Sequence, residues 1–215
     1  MQPFRSLTAI AAPLLRPNID TDVIIPIQRL LGLGREGLGA YAFERLRADP
    51  HFVLNRPEYA HSAILLAGEN FGCGSSREGA VWALMEMGVR CVIAPSFGDI
   101  FFANCFQNGL LPVRLPIEAI RRIAEETEAA PGNARTTVDL ERQLVITPRG
   151  EEIPFSIDPR RREALLHGLD EIALTLRQSQ AIAAWRERDR LARPWAWESV
   201  ARPTGAEGCR EGRPA

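Results

Sequence analysis

Short apolar runs, each closed by glycine or proline, mark the middle of this chain. Residues 63–67 are apolar and stop at Gly68, residues 89–94 stop at Pro95, and residues 110–115 form a third run. Runs of this length between turn residues predict buried strands. Between the first two, a helix is expected from Ser75 or Ser76 to Met87, with Gly88 as its stop. Between the second and third, Ser96 is the expected cap of a helix reaching about Asn108 and ended by Gly109. Strand–helix–strand–helix–strand with short connections predicts an α/β fold with parallel pairing and right-handed crossovers. Function in such sheets sits beyond the carboxyl ends of the strands, where the glycine-rich loop after residue 68 falls.

The flanks are less periodic. Residues 23–27 are a strand candidate after the polar turn Asn18-Ile19-Asp20-Thr21-Asp22, and Gly32, Gly34, Gly37 and Gly39 suggest a flexible loop. Residues 137–147 have the texture of a half-exposed strand, and residues 153–157 suggest another. Asp158-Pro159 predicts a helix start, with aspartate as cap and proline in the first turn, and Gly168 its stop. A further helix is expected at roughly 179–191. The domain is expected to span 1–190, followed by a 191–215 extension that is disordered from about Arg202, where periodic apolar residues cease.

Composition narrows the chemistry. The 215 residues carry a formal net charge of -1, and all 26 basic residues are arginines. The absence of lysine excludes a Schiff base, a Walker lysine and pyridoxal phosphate attachment. No basic stripe interleaves with aromatics, so nucleic acid is not an expected partner, and Arg160-Arg161-Arg162 reads as a solvated helix start. No run is long enough to span a membrane. Residues 7–15 imitate a signal peptide only faintly, with Pro13 inside and no cleavage site beyond. Cys73, Cys91, Cys105 and Cys209 lack C-x-x-C spacing, so no zinc or iron–sulfur site is expected on this chain. Cys91 and Cys105 read as small core residues, and a reducing cytoplasm is the expected setting. His51, His61 and His167 have no ligand spacing.

Candidate chemistry converges on Gly72-Cys73-Gly74-Ser75-Ser76-Arg77-Glu78. Glycines let a ligand approach the backbone, and arginine binds carboxylate through two parallel hydrogen bonds. Ser75 and Glu78 also match a capping box, so a purely structural role for Ser75 is the competing reading. A helix terminus is worth up to ~2 kcal/mol to a charge, which shifts a hydroxyl by roughly one to two pKa units. A serine base therefore requires Arg77, desolvation and an electrophile from elsewhere. Two other motifs compete weakly. Gly32-Leu33-Gly34-Arg35-Glu36-Gly37 fits a dinucleotide pattern without a proper preceding strand. Cys73-Gly74-Ser75 is similar to the start of the papain signature, but Ser76 stands where the nucleophilic cysteine belongs.

Asn18-Ile19-Asp20-Thr21-Asp22-Val23-Ile24-Ile25-Pro26 and Asn70-Phe71-Gly72-Cys73-Gly74-Ser75-Ser76-Arg77-Glu78 resemble two signature segments of isopropylmalate dehydratase small subunits. Ala94-Pro95-Ser96-Phe97, Asp99-Ile100-Phe101 and Asn108-Gly109-Leu110-Leu111-Pro112 resemble a third. Phe155-Ser156-Ile157-Asp158, Gly168-Leu169-Asp170 and Leu174-Thr175-Leu176 extend the likeness, which covers roughly residues 1–190. It implies the swivelling β/β/α domain of the aconitase C-terminus and a hydro-lyase of leucine biosynthesis that isomerises 2-isopropylmalate to 3-isopropylmalate. It also implies a large partner subunit carrying a 4Fe-4S cluster, in a heterodimer or heterotetramer. By the same resemblance Ser75 moves the proton alpha to a carboxylate. Ser76, Arg77 and Gly74 hold substrate, Asp22 supports a histidine of the partner, and Arg35 is a second carboxylate-binding arginine.

The chain departs from the family pattern at Gly79, where histidine is usual, and at Gly32 and Gly34, where longer polar residues are common. These departures keep two alternatives open: a paralogue acting on a related 2-hydroxy acid, and a non-catalytic partner subunit. The helix from Ala80 to Met87 is apolar nearly all round. An exposed patch of Trp82 and Met85 for a partner, or for a second copy of the chain, is expected from it.

Overall fold

A computed structural model describes residues 1–197. The expected disordered tail from Arg202, and Cys209 within it, lie outside the described residues. The chain divides into two compact units, Met1–Leu174 and Thr175–Ala215.

The first unit holds eight strands. They are β1 (Ser6–Ala9), β2 (Ala11–Leu14), β3 (Ile64–Ala67), β4 (Cys91–Ala94), β5 (Leu111–Arg114), β6 (Thr136–Asp139), β7 (Leu144–Ile146) and β8 (Glu152–Pro154). One sheet is all parallel in the order β2-β3-β4-β5, and the other is antiparallel in the order β1-β6-β7-β8. The helices are α1 (Thr21–Ile24), α2 (Ile27–Leu33), α3 (Glu44–Arg47), α4 (Gly79–Glu86), α5 (Asp99–Asn108), α6 (Ile117–Ala129), α7 (Pro159–His167) and α8 (Glu171–Leu176). In the second unit, α9 (Ser179–Ala192) fits the helix expected there.

A parallel strand covered on both faces needs an unbroken apolar run rather than alternation. That is why β3 and β4 read so plainly: all their residues are buried. Alternate side chains enter two different cores. Leu14, Leu65 and Val92 meet Val81 and Leu84 of α4 and Phe101 and Cys105 of α5. Ile64, Leu66, Ile93 and Val113 meet Ile120 and Ile123 of α6, together with Val138, Val145 and Ile153 of the antiparallel sheet. The result is a β/β/α sandwich with the parallel sheet in the middle, and the expected β-α-β-α-β segment runs from β3 to β5.

Several local expectations give way to side-chain capping. Residues 23–27 are not a strand: the Asp20 carboxylate accepts the Val23 N–H at 2.7 Å and closes the single turn of α1. Such a local bond outweighs the β preference of Val23, Ile24 and Ile25. The glycine-bearing segment is helical through α2 before Gly34, at φ 69°, ends it. α4 begins at Gly79, not Ser75, and α5 begins at Asp99, because the Ser96 hydroxyl accepts the Asn70 N–H at 2.8 Å instead of capping. Residues 137–147 are two strands, β6 and β7, split by a turn in which Asp139 accepts the Arg142 N–H. The start at Asp158-Pro159 and the stop at Gly168 hold. At that start Arg162 is not merely solvated, since it donates to the carbonyls of Leu140 and Glu141.

Two features escaped the sequence reading. The leader-like residues 7–15 build β1 and β2, and Pro13 is tolerated because β2 is an edge strand. α6 has a clear helical stripe, with Ile120, Ile123, Ala124 and Thr127 buried. Since Ile120 is fully buried against the central sheet, Ile120→Ala should cost about 2–5 kcal/mol in urea unfolding. A loss below about 1 kcal/mol would mean that α6 does not seal this core.

Candidate functional site

Three loops leave the carboxyl ends of β2, β3 and β4 and are stitched together by their main chains. Asn18 N–H donates to Glu69 O at 2.8 Å, Gly72 N–H to Ile19 O at 2.7 Å, and Thr21 N–H to Cys73 O at 2.9 Å. From the third loop, Ser96 O accepts the Phe71 N–H at 3.1 Å, while Gly98 N–H donates to Phe71 O at 2.9 Å. Side chains would prevent this closeness. A Cβ at Gly72, whose φ is 72°, would lie 2.2 Å from Phe101 Cγ; one at Gly98 would lie 2.6 Å from Gly72 O. Phe71, Phe97 and Phe101 pack beneath the crossing, Phe71 edge-on to Phe101 at 5.5 Å between centroids.

This arrangement lifts Gly74, Ser75 and Ser76 into an exposed crest. Buried Thr21 pins it: the Thr21 hydroxyl accepts the Ser75 N–H at 3.2 Å and faces the Ser75 carbonyl at 3.4 Å. The Ser75 backbone is thus fixed, while neither serine hydroxyl is engaged by another described residue. Ser75 is not a helix cap. α4 starts four residues later, and the Glu78 carboxylate turns away to accept from Asn108 Nδ2 at 2.7 Å. Because a helix dipole acts within about one turn, α4 does little to acidify Ser75.

Arg77 and Asp22 form an ion pair between the second and first loops, both partly shielded from solvent. Only one guanidinium nitrogen is committed to Asp22, which leaves the rest of the fork for a ligand carboxylate. Arg35 is not brought against this pair. It lies on the exposed segment after α2, its guanidinium 4.9 Å from the centre of the Trp82 ring.

Cys73 sits at the base of the crest, and its thiol is pushed up by burial and then by the Asp20 carboxylate. That favours the neutral thiol and weighs against the nucleophile reading. Cys91 and Cys105 are buried free thiols, as expected of core residues. Among the described residues no group of three or more His, Cys, Asp or Glu could hold a metal. No described helix is long and apolar enough to cross a membrane.

The expected exposed patch on α4 is absent: Trp82 and Met85 are half-buried against the core, and Trp82 Nε1 donates to Asn108 Oδ1 at 3.0 Å. Sequence reasoning also missed Thr21 and Asn70, which lock the loops, and Asn108, which ties α5 to Trp82 and Glu78, and it read Ser96 as a helix cap. The available signal was Thr21 and Asn70, polar residues inside turns that no expected helix needed as caps.

The family model for the aconitase C-terminal domain matches residues 1–118, and that for LeuD_N matches residues 121–159. The 3-isopropylmalate dehydratase small subunit of Rhodospirillum centenum is 52% identical over 202 residues, covering 91% of this chain and 99% of its own length. That of Granulibacter bethesdensis is also 52% identical, covering 91% of this chain and 96% of its own. The chain belongs to the family of 3-isopropylmalate dehydratase small subunits. A solved 3-isopropylmalate dehydratase (leuD) from Methanocaldococcus jannaschii has a TM-score of 0.61 at 25% identity, covering 84% of this chain and 99% of that one. The β/β/α sandwich is therefore the aconitase-type domain of this small-subunit family, and its loops are those described above.

Two tests follow from the crossing. Gly72→Ala should cost about 1–3 kcal/mol in urea unfolding, because Phe101 cannot retreat from the new methyl group. Wild-type stability would show that the loops part easily. For Cys73, burial and then Asp20 oppose the thiolate, so alkylation of a Cys209→Ser chain by iodoacetamide should inflect above the ordinary cysteine value of about 8.5. An inflection below about 8, under the ordinary cysteine value, would return Cys73 as a reactive thiol.

Proposed function

We propose that this chain supplies half of the active site of a hydro-lyase that isomerises 2-isopropylmalate to 3-isopropylmalate in leucine biosynthesis, a large subunit supplying the other half. The observation that carries this reading is the rigid exposed crest Gly74-Ser75-Ser76 beside the half-committed Arg77. Ser75, ionised to its alkoxide, takes the proton from the carbon alpha to a carboxylate, becomes the neutral hydroxyl, and returns the proton in the rehydration half. Ser76 and the free edge of Arg77 hold that carboxylate, and Gly74 leaves room for it. Asp22 orients Arg77 and, facing outward, supports a histidine of the large subunit. Arg35 binds a second carboxylate. Negative charge developing on the substrate during proton removal is met by Arg77, a preorganised donor.

A 4Fe-4S cluster on the large subunit would supply the Lewis acid that activates the departing hydroxyl. Among the described residues the cysteines do not fit such a group: Cys73 is the one at the crest, while Cys91 and Cys105 are enclosed. The same point explains the need for two subunits, in a heterodimer or heterotetramer in the cytoplasm. Ser75 lies outside the reach of the α4 dipole, and Arg77 is partly neutralised by Asp22. The remaining positive potential and the desolvation must come from across an interface.

Two features bear on the alternatives. The space that a Cβ at Gly79 would take is filled by Leu30 Cδ2, 2.2 Å from that position. The first turn of α4 is therefore repacked rather than hollowed, which favours a working site over a decayed one. Leu31 and Leu33 are exposed in the segment that carries Arg35, and they suit an isopropyl substituent better than a second polar group.

In the two-subunit enzyme assembled anaerobically, Ser75→Ala should lower turnover of 2-isopropylmalate by about a hundredfold or more. Its unfolding free energy should stay within about 0.5 kcal/mol of wild type, since no cap is lost. Near-normal turnover would place the base elsewhere.

A further inference from the structure

One face of α4 touches the segment from residue 30 to residue 39 at Leu30, Arg35, Gly37 and Gly39. Gly79, Trp82 and Glu86 lie within about 60° of one another on the helix wheel. Leu30 is seated on Gly79, where any side chain would collide with it. Arg35 is stacked on Trp82 at 4.9 Å, and the indole is fixed in turn by its bond to Asn108 at 3.0 Å. Glu86 closes the face with both carboxylate oxygens, Oε1 accepting the Gly37 N–H at 2.6 Å and Oε2 the Gly39 N–H at 2.7 Å. Gly39 allows that approach, since its Cβ would fall 2.8 Å from the Glu86 carbonyl carbon and the Met87 nitrogen. The two N–H bonds, from Gly39 and then Gly37, hold the Glu86 carboxyl below its usual value.

We infer that Gly79, Trp82 and Glu86 form a three-point cradle that positions Arg35 for the substrate, with Glu86 as its decisive positioning residue. The segment is otherwise poorly anchored: residues 31–37 are all exposed. A guanidinium on such a tether contributes to binding only if its backbone is already placed, because ordering it at the moment of binding costs entropy. Trp82 holds the guanidinium over its ring by a cation–π contact, which consumes none of its hydrogen-bond donors. Glu86 fixes the backbone two residues beyond. The inference rests on the reading of Arg35 as a carboxylate-binding residue.

Glu86→Gln keeps one acceptor and turns an amide toward the other N–H; Glu86→Ala keeps none. In the assembled enzyme, Glu86→Gln should raise KM for 2-isopropylmalate about tenfold with kcat little changed, and Glu86→Ala should raise it further. Amide exchange at Gly37 and Gly39 should quicken in the same order while the unfolding midpoint stays put. Combined with Arg35→Ala, Glu86→Gln should add nothing to the KM already raised by Arg35→Ala, because one acts through the other. A raised KM in Arg35→Ala with a wild-type KM in Glu86→Gln, or additive effects in the double variant, would overturn the cradle alone. An unchanged KM in Arg35→Ala would overturn the reading of Arg35 and the positioning role with it.

Discussion

The close crossing of three loops at the carboxyl edge of the parallel sheet is the constraint on which the rest depends. Parallel strands deliver their loops to one edge, and there the loop after β3 is clasped between the loops after β2 and β4 by main-chain bonds, reinforced by the side chains of Thr21, Asn70 and Ser96. Main-chain bonding at that range requires that no Cβ intervene, which is why Gly72 and Gly98 stand back to back. The phenylalanine cluster beneath excludes water from the crossing and makes the bonds worth more than they would be in solvent. With the backbone fixed in this way, Ser75 and Ser76 can be exposed without being mobile, as a site that must aim a hydroxyl requires.

Rigidity and electrostatics pull apart at this edge. The crest lies one turn too early to feel α4, and the ion pair with Asp22 cancels much of the Arg77 charge. A hydroxyl so placed is well aimed but weakly activated. On the proposed reading that combination belongs to a half-site: geometry comes from this chain, while the field and the dry environment come from docking. A free-standing enzyme would need its own burial over Ser75, and here the residue is exposed. The cysteines agree with this division, since two of the three described are spent inside the core.

Three strands of the central sheet, β3 to β5, were legible because strands buried on both faces leave short apolar runs between turn residues, whereas the edge strand β2, interrupted by Pro13, was not. The site segment was legible because glycine, serine and arginine in one loop have few structural uses. Boundaries were less so. Ser96 and Ser75 read as helix signals, and Asp20 read as part of a turn before a strand, yet Asp20 caps the single turn of α1. Ser96 serves a neighbouring loop, and Ser75 caps nothing. A capping residue announces that a backbone N–H needs an acceptor without saying whose N–H it is, and in this domain the donors come from other loops. α6 shows the opposite failure. Its stripe of Ile120, Ile123, Ala124 and Thr127 is plain, but it lies outside the β-α-β-α-β segment on which the motifs had concentrated.

The helix α4 is where sequence and structure differ with most consequence. Its apolar circumference implied a surface needing cover, and the cover comes from within the chain. Val81 and Leu84 face the sheet side of the core, while Trp82 and Met85 are half-enclosed and the segment after α2 lies along Gly79, Trp82 and Glu86. A partner therefore has little to gain on that face without first displacing residues 30–39. The polar crest, the ion pair and the exposed Leu31 and Leu33 point outward instead. A docking surface built from those groups is part apolar and part charged, and it includes the groups proposed to bind substrate. Association with the large subunit and assembly of the substrate pocket would then be a single event, so a loop displaced from α4 would weaken both together.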